Sequence, residues 1–359
     1  MKQLSLYVVL AFFCACCKNI TPSGTDVLSQ FSDRVGLDCR DTVIAPLVNP
    51  MGVVFAADSL LVVSEPDGSP MILIYDLSGR RIQGFLRRGR GPGETSNLLR
   101  TALCSPNSIQ ASVDPETVYI YDIDSLLEGD VLPREEFTLP SGTYAFPSIS
   151  VLDSTHLLYV GKDRSEEPAV EHRFCIYNTS TGSTETFGSY PEDDRLIKKF
   201  PSDDFCKPTA YQGTAVISPD HSKAVVIYYY AVGFDILDIE ERRIDKSVFY
   251  QYPQTEVEQI PEIETNVVRR NPDSRRGFLD CWCNDEHIYV LYSGKTFSQP
   301  GYGEGKYILR YGWDGSPQRL YELECEASCF TVSADESSIY SVVQDSEAAY
   351  VVRYDIPVA

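Results

Sequence analysis

The same short plan of strands returns six times along this chain, and that recurrence limits its fold more than any other feature. In each copy an apolar segment rich in β-branched and aromatic residues runs into a polar turn, in three of them through a tyrosine followed by an aspartate. Neighbouring strand residues face opposite sides, so the ring can pack inside while the acid accepts hydrogen bonds at the turn. The six segments are 72–77, 118–123, 174–179, 233–239, 308–313 and 351–356.

A second set of apolar segments precedes these copies, each entered through two to five polar residues, as in a β-hairpin. They are 57–63, 152–160, 218–226, 283–290 and 333–340. Repeats of roughly 43 to 74 residues built from short strands indicate a β-propeller, the longer ones holding insertions. The last copy ends after its third strand, and residues 31–47 can supply the fourth. We therefore expect an all-β, six-bladed β-propeller of four-stranded antiparallel blades over residues 31–359, its ring closed by an N-terminal strand.

The first residues of the chain predict export. A basic start is followed by an apolar run over residues 4–13, which is too short to span a bilayer but fits the core of a secretory signal. The pattern resembles a bacterial lipoprotein signal, with the small Ala15 before Cys16. We expect a signal peptide at 1–15, acylation of Cys16 and a flexible polar tether at 16–30. An ordinary cleaved signal without lipid is the alternative.

The charge of the chain restricts its partners. Lys and Arg total 31 against 52 Asp and Glu, a net charge of −21. Such a surface argues against nucleic acid, which requires clustered basic side chains, and it repels anionic lipids. The expected membrane contact is therefore the N-terminal lipid. This places the protein in the cell envelope, preferably at the outer membrane, with its domain in the periplasm or at the cell surface.

The 11 cysteines leave two interpretations open. An exported protein can form disulfides, but the spacing is irregular and several cysteines lie in apolar segments, as single buried thiols do. Neither Cys281 with Cys283 nor Cys325 with Cys329 has the spacing of a zinc site. We predict no metal and no cofactor.

A glycine-rich motif carries a family resemblance. Residues 75–80 (YDLSGR) are followed by a strand and by 88–94 (RGRGPGE). This arrangement is similar to the first-blade segment of TolB-like six-bladed propeller lipoproteins, which are exported proteins of Gram-negative bacteria. The resemblance covers the signal, the motif and the repeat rhythm. It implies a propeller fold and a lipid anchor, and no particular chemistry.

The same motif supplies the first candidate site. Gly89, Gly91, Pro92 and Gly93 are interpreted as a structural turn, since the segment lacks the Lys-Ser/Thr of a phosphate-binding loop. The cluster of Arg87, Arg88 and Arg90 can hold an anionic ligand or partner. Alternatively, these arginines pair with carboxylates such as Glu94.

Weaker candidates lie near the expected channel. Asp280 and Trp282 combine a charge and a large ring in an inner strand, although Trp282 can simply be core. Tyr302 lies in a loop over 292–307 rich in glycine and aromatic residues, as recognition loops often are. His156, His221 and His287 occupy equivalent turns and are interpreted as turn residues, with no GxSxG elbow to support a catalytic triad.

Two functions follow from these observations. The first is a membrane-anchored, non-catalytic binding or scaffold propeller that meets a protein, a peptide or a glycan through one face. The second is a propeller hydrolase or lactonase with a metal in its central channel, which requires several converging carboxylate or amide groups. The sequence selects no such set.

Overall fold

A computed structural model describes residues 26–141, 143, 148–163, 172–191, 206–260 and 265–357. The expected signal peptide and Cys16 lie outside these residues, as does most of the expected tether. In the part of the chain described, no helix is long and apolar enough to cross a membrane.

The described chain opens with a 3₁₀ turn (Val27–Gln30) and two strands, β1 (Arg34–Leu37) and β2 (Asp41–Leu47). Four antiparallel sheets of four strands then account for most of the fold. Sheet 1 contains β3–β6, at Gly52–Ala56, Leu60–Ser64, Ile72–Asp76 and Arg81–Phe85. A short parallel ribbon follows, made of β7 (Arg87–Arg88) and β8 (Glu94–Thr95).

The next three sheets repeat the same strand order along the chain. Sheet 2 contains β9–β12, at Arg100–Ser105, Ser108–Ser112, Thr117–Asp122 and Glu135–Thr138, with helix α1 (Ile123–Glu128) before its last strand. Sheet 3 contains β13–β16, at Ile149–Val151, His156–Val160, His172–Asn178 and Ser183–Ser189. After the short helix α2 (Cys206–Ala210), sheet 4 contains β17–β20, at Gly213–Ile217, Lys223–Tyr228, Val232–Asp238 and Arg243–Gln251.

The last sheet is larger and takes strands from both ends of the chain. A hairpin of β21 (Thr255–Ile260) and β22 (Thr265–Arg270) precedes it. Sheet 5 then contains β23–β28, at Asp280–Cys283, His287–Tyr292, Gly305–Gly312, Pro317–Val332, Ser338–Gln344 and Ala349–Asp355. The long strand β26 pairs with β25 over its first part and with β27 over its last part. At the edges, β2 pairs antiparallel with β28, and β1 pairs parallel with β26.

Asx turns explain why acidic residues and asparagine recur at the strand ends. In the hairpin before β14, the Thr155 N–H donates to Asp153 Oδ1 at 2.7 Å. The same bond, from the amide two residues on, recurs at Asp76, Asp220, Asn284, Asp314 and Asp335. A short side chain that accepts its own backbone amide stabilises a tight turn. The repeat visible in the sequence is therefore a repeat of turn chemistry.

The apolar core lies between the sheets and continues from each sheet to the next. Sheet 1 packs on sheet 2 through Ile74 and Ile109, for example, and sheet 3 on sheet 4 through Phe174 and Val226. The end of sheet 5 packs back on sheet 1, where Phe55 stacks on Tyr340 at 5.8 Å between ring centroids. The Phe55 N–H also donates to Thr331 Oγ1 at 3.1 Å. This packing confirms an all-β, propeller-like fold with very little helix.

Two faces can be distinguished from the strand directions. The hairpins that follow the first strand of each sheet lie side by side: the Ala57 N–H donates to Pro106 O at 3.2 Å, and the Asp220 N–H to Asp285 Oδ1 at 3.3 Å. We call this side the turn face. The opposite side carries the loops over 65–71, 229–231 and 293–304 and the connector over 271–279. We call it the loop face.

Candidate functional site

A cavity of about 650 Å³ runs between the first strands of the sheets. Its wall includes Gly52 and Tyr229 near the loop face, and His221 and Glu286 near the turn face. First strands of all five sheets, together with the last part of β26, contribute to it. The cavity is therefore the central channel of the propeller-like fold.

Asp280 lies in the wall of this channel, at the start of β23. Its carboxylate accepts the Phe330 N–H at Oδ2 and the Cys281 N–H at Oδ1, both at 2.9 Å. It thereby joins β23 to the last part of β26. Burial raises the pKa of Asp280 to about 6, although the two amides and the nearby positive charge of Arg100 act in the opposite direction.

Arg100 enters the channel from sheet 2. Its Nη1 donates to Ala215 O at 3.0 Å, so the side chain bridges from β9 to β17. Burial lowers the pKa of Arg100, and the charges of Tyr229 and Asp280 oppose this effect. Arg100 and Asp280 thus each link one strand of the channel wall to a neighbouring strand.

Trp282 is half-buried, and its ring meets Tyr289 edge-on at 5.5 Å. It packs against the core within sheet 5, which accounts for its size without a ligand. On the other side of β23, Cys281 and Cys283 pack in the core between sheets 4 and 5. Burial raises the pKa of both thiols, so both are protonated at neutral pH.

Within the described ranges, no group of three or more His, Cys, Asp and Glu side chains is placed to hold a metal ion.

The glycine motif at 88–94 forms a hydrogen bond to the side chain of its own Glu94. The Gly91 N–H donates to Glu94 Oε2 at 2.8 Å, and the Gly89 N–H donates to Thr95 O at 3.0 Å. Gly93 has a φ of +69°, a region that L side chains rarely adopt. Two of the loop amides are thus already taken, one of them by an internal carboxylate where a phosphate would otherwise bind.

The three arginines beside this motif are exposed but differ in their contacts. Arg88 links the β7–β8 ribbon to neighbouring loops through two hydrogen bonds. Its Nη1 donates to Ser96 O at 2.9 Å, and its Nη2 donates to Pro66 O at 2.8 Å. Within the described structure, Arg87 and Arg90 form no ion pair, including with Glu94. The structure does not bring these arginines together with Asp280 or Trp282.

A different group of side chains lies on the loop face beside the channel, at the third sequence candidate, Tyr302. We call it the arginine–aromatic cluster: Arg270, Arg276, Tyr229, Phe297 and Tyr302. Arg270 lies 5.5 Å from the centroid of Phe297, and its Nη1 donates to the Tyr302 hydroxyl at 3.4 Å. The Phe297 and Tyr302 rings are 5.5 Å apart.

Arg276 completes the cluster on the channel side. Its guanidinium lies 4.8 Å from the centroid of Tyr229 and 5.8 Å from that of Phe297, and its Nη1 donates to Tyr229 O at 3.1 Å. Among the residues that the structure describes, its buried Nε has no hydrogen-bond partner. Stacking on rings holds both guanidinium groups in place through cation–π attraction.

The charge of the cluster is not balanced by described carboxylates. Among the side chains that the structure places, neither Arg270 nor Arg276 forms an ion pair. Burial lowers the pKa of Arg276, and the like charge of Arg270 adds to this effect. Two cations held close together in a chain of net charge −21 make a local positive site that an anion would stabilise.

The sequence contains a signal for this cluster. Residues 269–276 (RRNPDSRR) carry four arginines, one more than the group at 87–90. The loop at 292–307, whose glycine and aromatic residues predict a recognition loop, supplies Phe297 and Tyr302. Only the fold brings these two segments together.

His156, His221 and His287 lie at the turn face. His156 Nδ1 is 2.9 Å from Asp153 Oδ2 within its own turn, whereas His287 Nδ1 is 2.8 Å from Glu336 Oε1 in the next turn. These contacts join the ends of strands and of neighbouring hairpins, as expected of turn residues.

The TolB-like 6-blade propeller-like family model matches residues 216–335, about a third of the chain. No curated protein shows significant similarity to this sequence. Among solved structures, the chain is similar to the beta-propeller domain of Cps50 (Swd1) from Myceliophteria thermophila. That likeness has a TM-score of 0.48 at 10% identity, and covers 89% of this chain and 100% of the other. The family match confirms the resemblance to TolB-like propellers. The matched residues run from the end of β17 to the turn after β26, whereas the glycine motif lies earlier in the chain.

Proposed function

We propose that this protein is an exported, lipid-anchored and non-catalytic binding module, built as a six-bladed propeller. The propeller-like fold and the TolB-like family match suggest a binding or scaffold role. The count of six treats sheet 5 as two blades that share β26, which pairs with β25 over its first part and with β27 over its last part. In that description β2 is the outer strand of the last blade, and its pairing with β28 closes the ring.

The proposed partner is an anionic segment of a protein, a peptide or a glycan that binds the loop face. One observation carries this proposal: the guanidinium groups of Arg270 and Arg276 are held on aromatic rings, without a described ion pair, beside the channel mouth. Guanidinium groups fixed in this way can form charge-assisted bonds to carboxylate or sulfate. The acidic remainder of the surface would confine such a partner to this site.

Two defined probes test the proposal, a fluorescent polyglutamate peptide and a heparin fragment. We expect saturable binding of at least one probe that weakens as salt is added. In the double variant Arg270→Gln/Arg276→Gln the affinity should fall about tenfold or more, since a hydrogen bond to a charged group contributes about 1.5–3 kcal/mol.

The matched control is Arg87→Gln/Arg90→Gln, which removes two exposed arginines outside the cluster and should leave the affinity unchanged. Thermal unfolding of each variant shows whether the fold is retained. Equal binding by both double variants, or no binding of either probe to the wild-type protein, would contradict an anionic partner at the loop face.

A further inference from the structure

Two cysteines that are far apart in sequence meet at the edge of sheet 5. Strand β1 runs parallel to β26, with Leu37 opposite Leu323. Continuing this register by two residues places Cys39 opposite Cys325. The Cys39 N–H donates to Glu324 Oε2 at 2.8 Å, which fixes the chain beside β26 just after the strand ends.

The surroundings of the two thiols agree with this placement. Both cysteines are half-buried and pack against the same core cluster, which includes Tyr354. Burial raises the pKa of Cys39, and the charge of the Cys325 thiolate is the next largest cause. Burial also raises the pKa of Tyr354, and both thiols add to the rise. Such effects require short separations between the groups.

We propose that Cys39 and Cys325 form a disulfide when the folded protein meets a disulfide oxidant. Neighbouring strands lie about 4.8 Å apart, within the Cα separation that a disulfide spans. The thiolate of one cysteine attacks the oxidant disulfide, forming a mixed disulfide and releasing one thiol. The second thiolate then displaces the other oxidant thiol, so the two cysteines are oxidised and the oxidant is reduced to two thiols.

The bond would link the N-terminal strand covalently to the body of the fold. Among the strands that the structure describes, β1 pairs only with β26, and it lies next to the segment that we expect to connect to the lipid. A covalent link there would keep β1 paired with β26 when a force acts on the tether. The place where the bond forms in the cell rests on the proposed export, because exported proteins meet oxidising conditions. The reaction itself does not depend on it.

The test is oxidation of the folded, reduced protein by oxidised glutathione, followed by peptide mapping without reduction. We expect a cross-linked pair of peptides containing Cys39 and Cys325, lighter than the two reduced peptides by two hydrogen atoms. The oxidised protein should also unfold at a temperature several degrees higher than the reduced protein. The variants Cys39→Ser and Cys325→Ser should lose the linked pair and instead carry glutathione on the remaining thiol.

The control is Cys104→Ser, which replaces another half-buried cysteine and should leave the linked pair intact. Separate glutathione adducts on both cysteines of the wild-type protein, or no reaction at either, would overturn the proposal even if the serine variants failed to fold. A bond that forms in vitro but is absent from protein taken from cells would contradict export and leave the pairing valid.

Discussion

Replacing Asp280 by asparagine should make stability less dependent on pH. The pKa of Asp280 in the folded protein is about 6, against 3.8 for the ordinary group. Because the folded pKa is raised, the native state binds this proton more tightly than the unfolded chain does. The stabilisation is fully present below about pH 4 and is lost as the pH rises through 6. At about 1.4 kcal/mol per pKa unit, the loss amounts to roughly 3 kcal/mol, reduced by any screening from channel water.

Urea unfolding at several pH values between 4 and 7.5 measures this effect. Asparagine keeps an oxygen that can accept an amide hydrogen bond but cannot ionise. The free energy of unfolding of Asp280→Asn relative to the wild type should therefore rise by about 2–3 kcal/mol from pH 4 to pH 7. If the difference in the free energy of unfolding stays constant over this range, the pKa of Asp280 is not raised in the folded protein. The argument that burial raises this pKa would then be refuted.

Asp76→Asn is the control of opposite sign. Asp76 accepts hydrogen bonds from the Ser78 hydroxyl and amide and from Arg80, and these bonds lower its pKa to about 2. Its contribution to stability is present above pH 4 and lost as the pH falls through 2. This variant should therefore be less stable than the wild type at neutral pH.

Three further predictions concern the core, the glycine motif and the anchor. Arg173 and Asp235 form a buried ion pair of 2.6 Å between sheets 3 and 4. In urea unfolding, Arg173→Met should lower the free energy of unfolding by about 3–5 kcal/mol, because it leaves a buried charge without its partner. The double variant Arg173→Met/Asp235→Leu should recover much of this lost stability. An unchanged single variant would contradict this. Gly93→Ala should cost about 1 kcal/mol or more by the same assay because of its positive φ, and a stabilising effect would show that the turn relaxes. Cys16→Ala should release the protein from membranes on cell fractionation, whereas an unmodified N-terminal peptide in the wild type, seen by mass spectrometry, would exclude lipidation.

The candidate site was only partly accessible from the sequence. The sequence predicts Tyr302 because aromatic residues and glycine mark recognition loops, and this residue lies in the arginine–aromatic cluster. The sequence does not single out Arg270 and Arg276, since a run of arginines does not show which of its side chains will lie at a common site in the folded chain. Trp282 shows the converse, because a large ring beside a charge can serve the core as well as a ligand.

The sequence by itself determined the all-β, propeller-like character of this protein. Turn-forming acidic residues and alternating apolar residues favour turns and strands through contacts between residues only a few positions apart. The sequence therefore carried the strands, the hairpins and their recurrence. The channel, the pairing of β1 and β2 with strands near the other end of the chain, and the meeting of Cys39 with Cys325 were decided only by the tertiary structure. These features join residues separated by hundreds of positions, and such contacts depend on how whole sheets pack rather than on any local pattern.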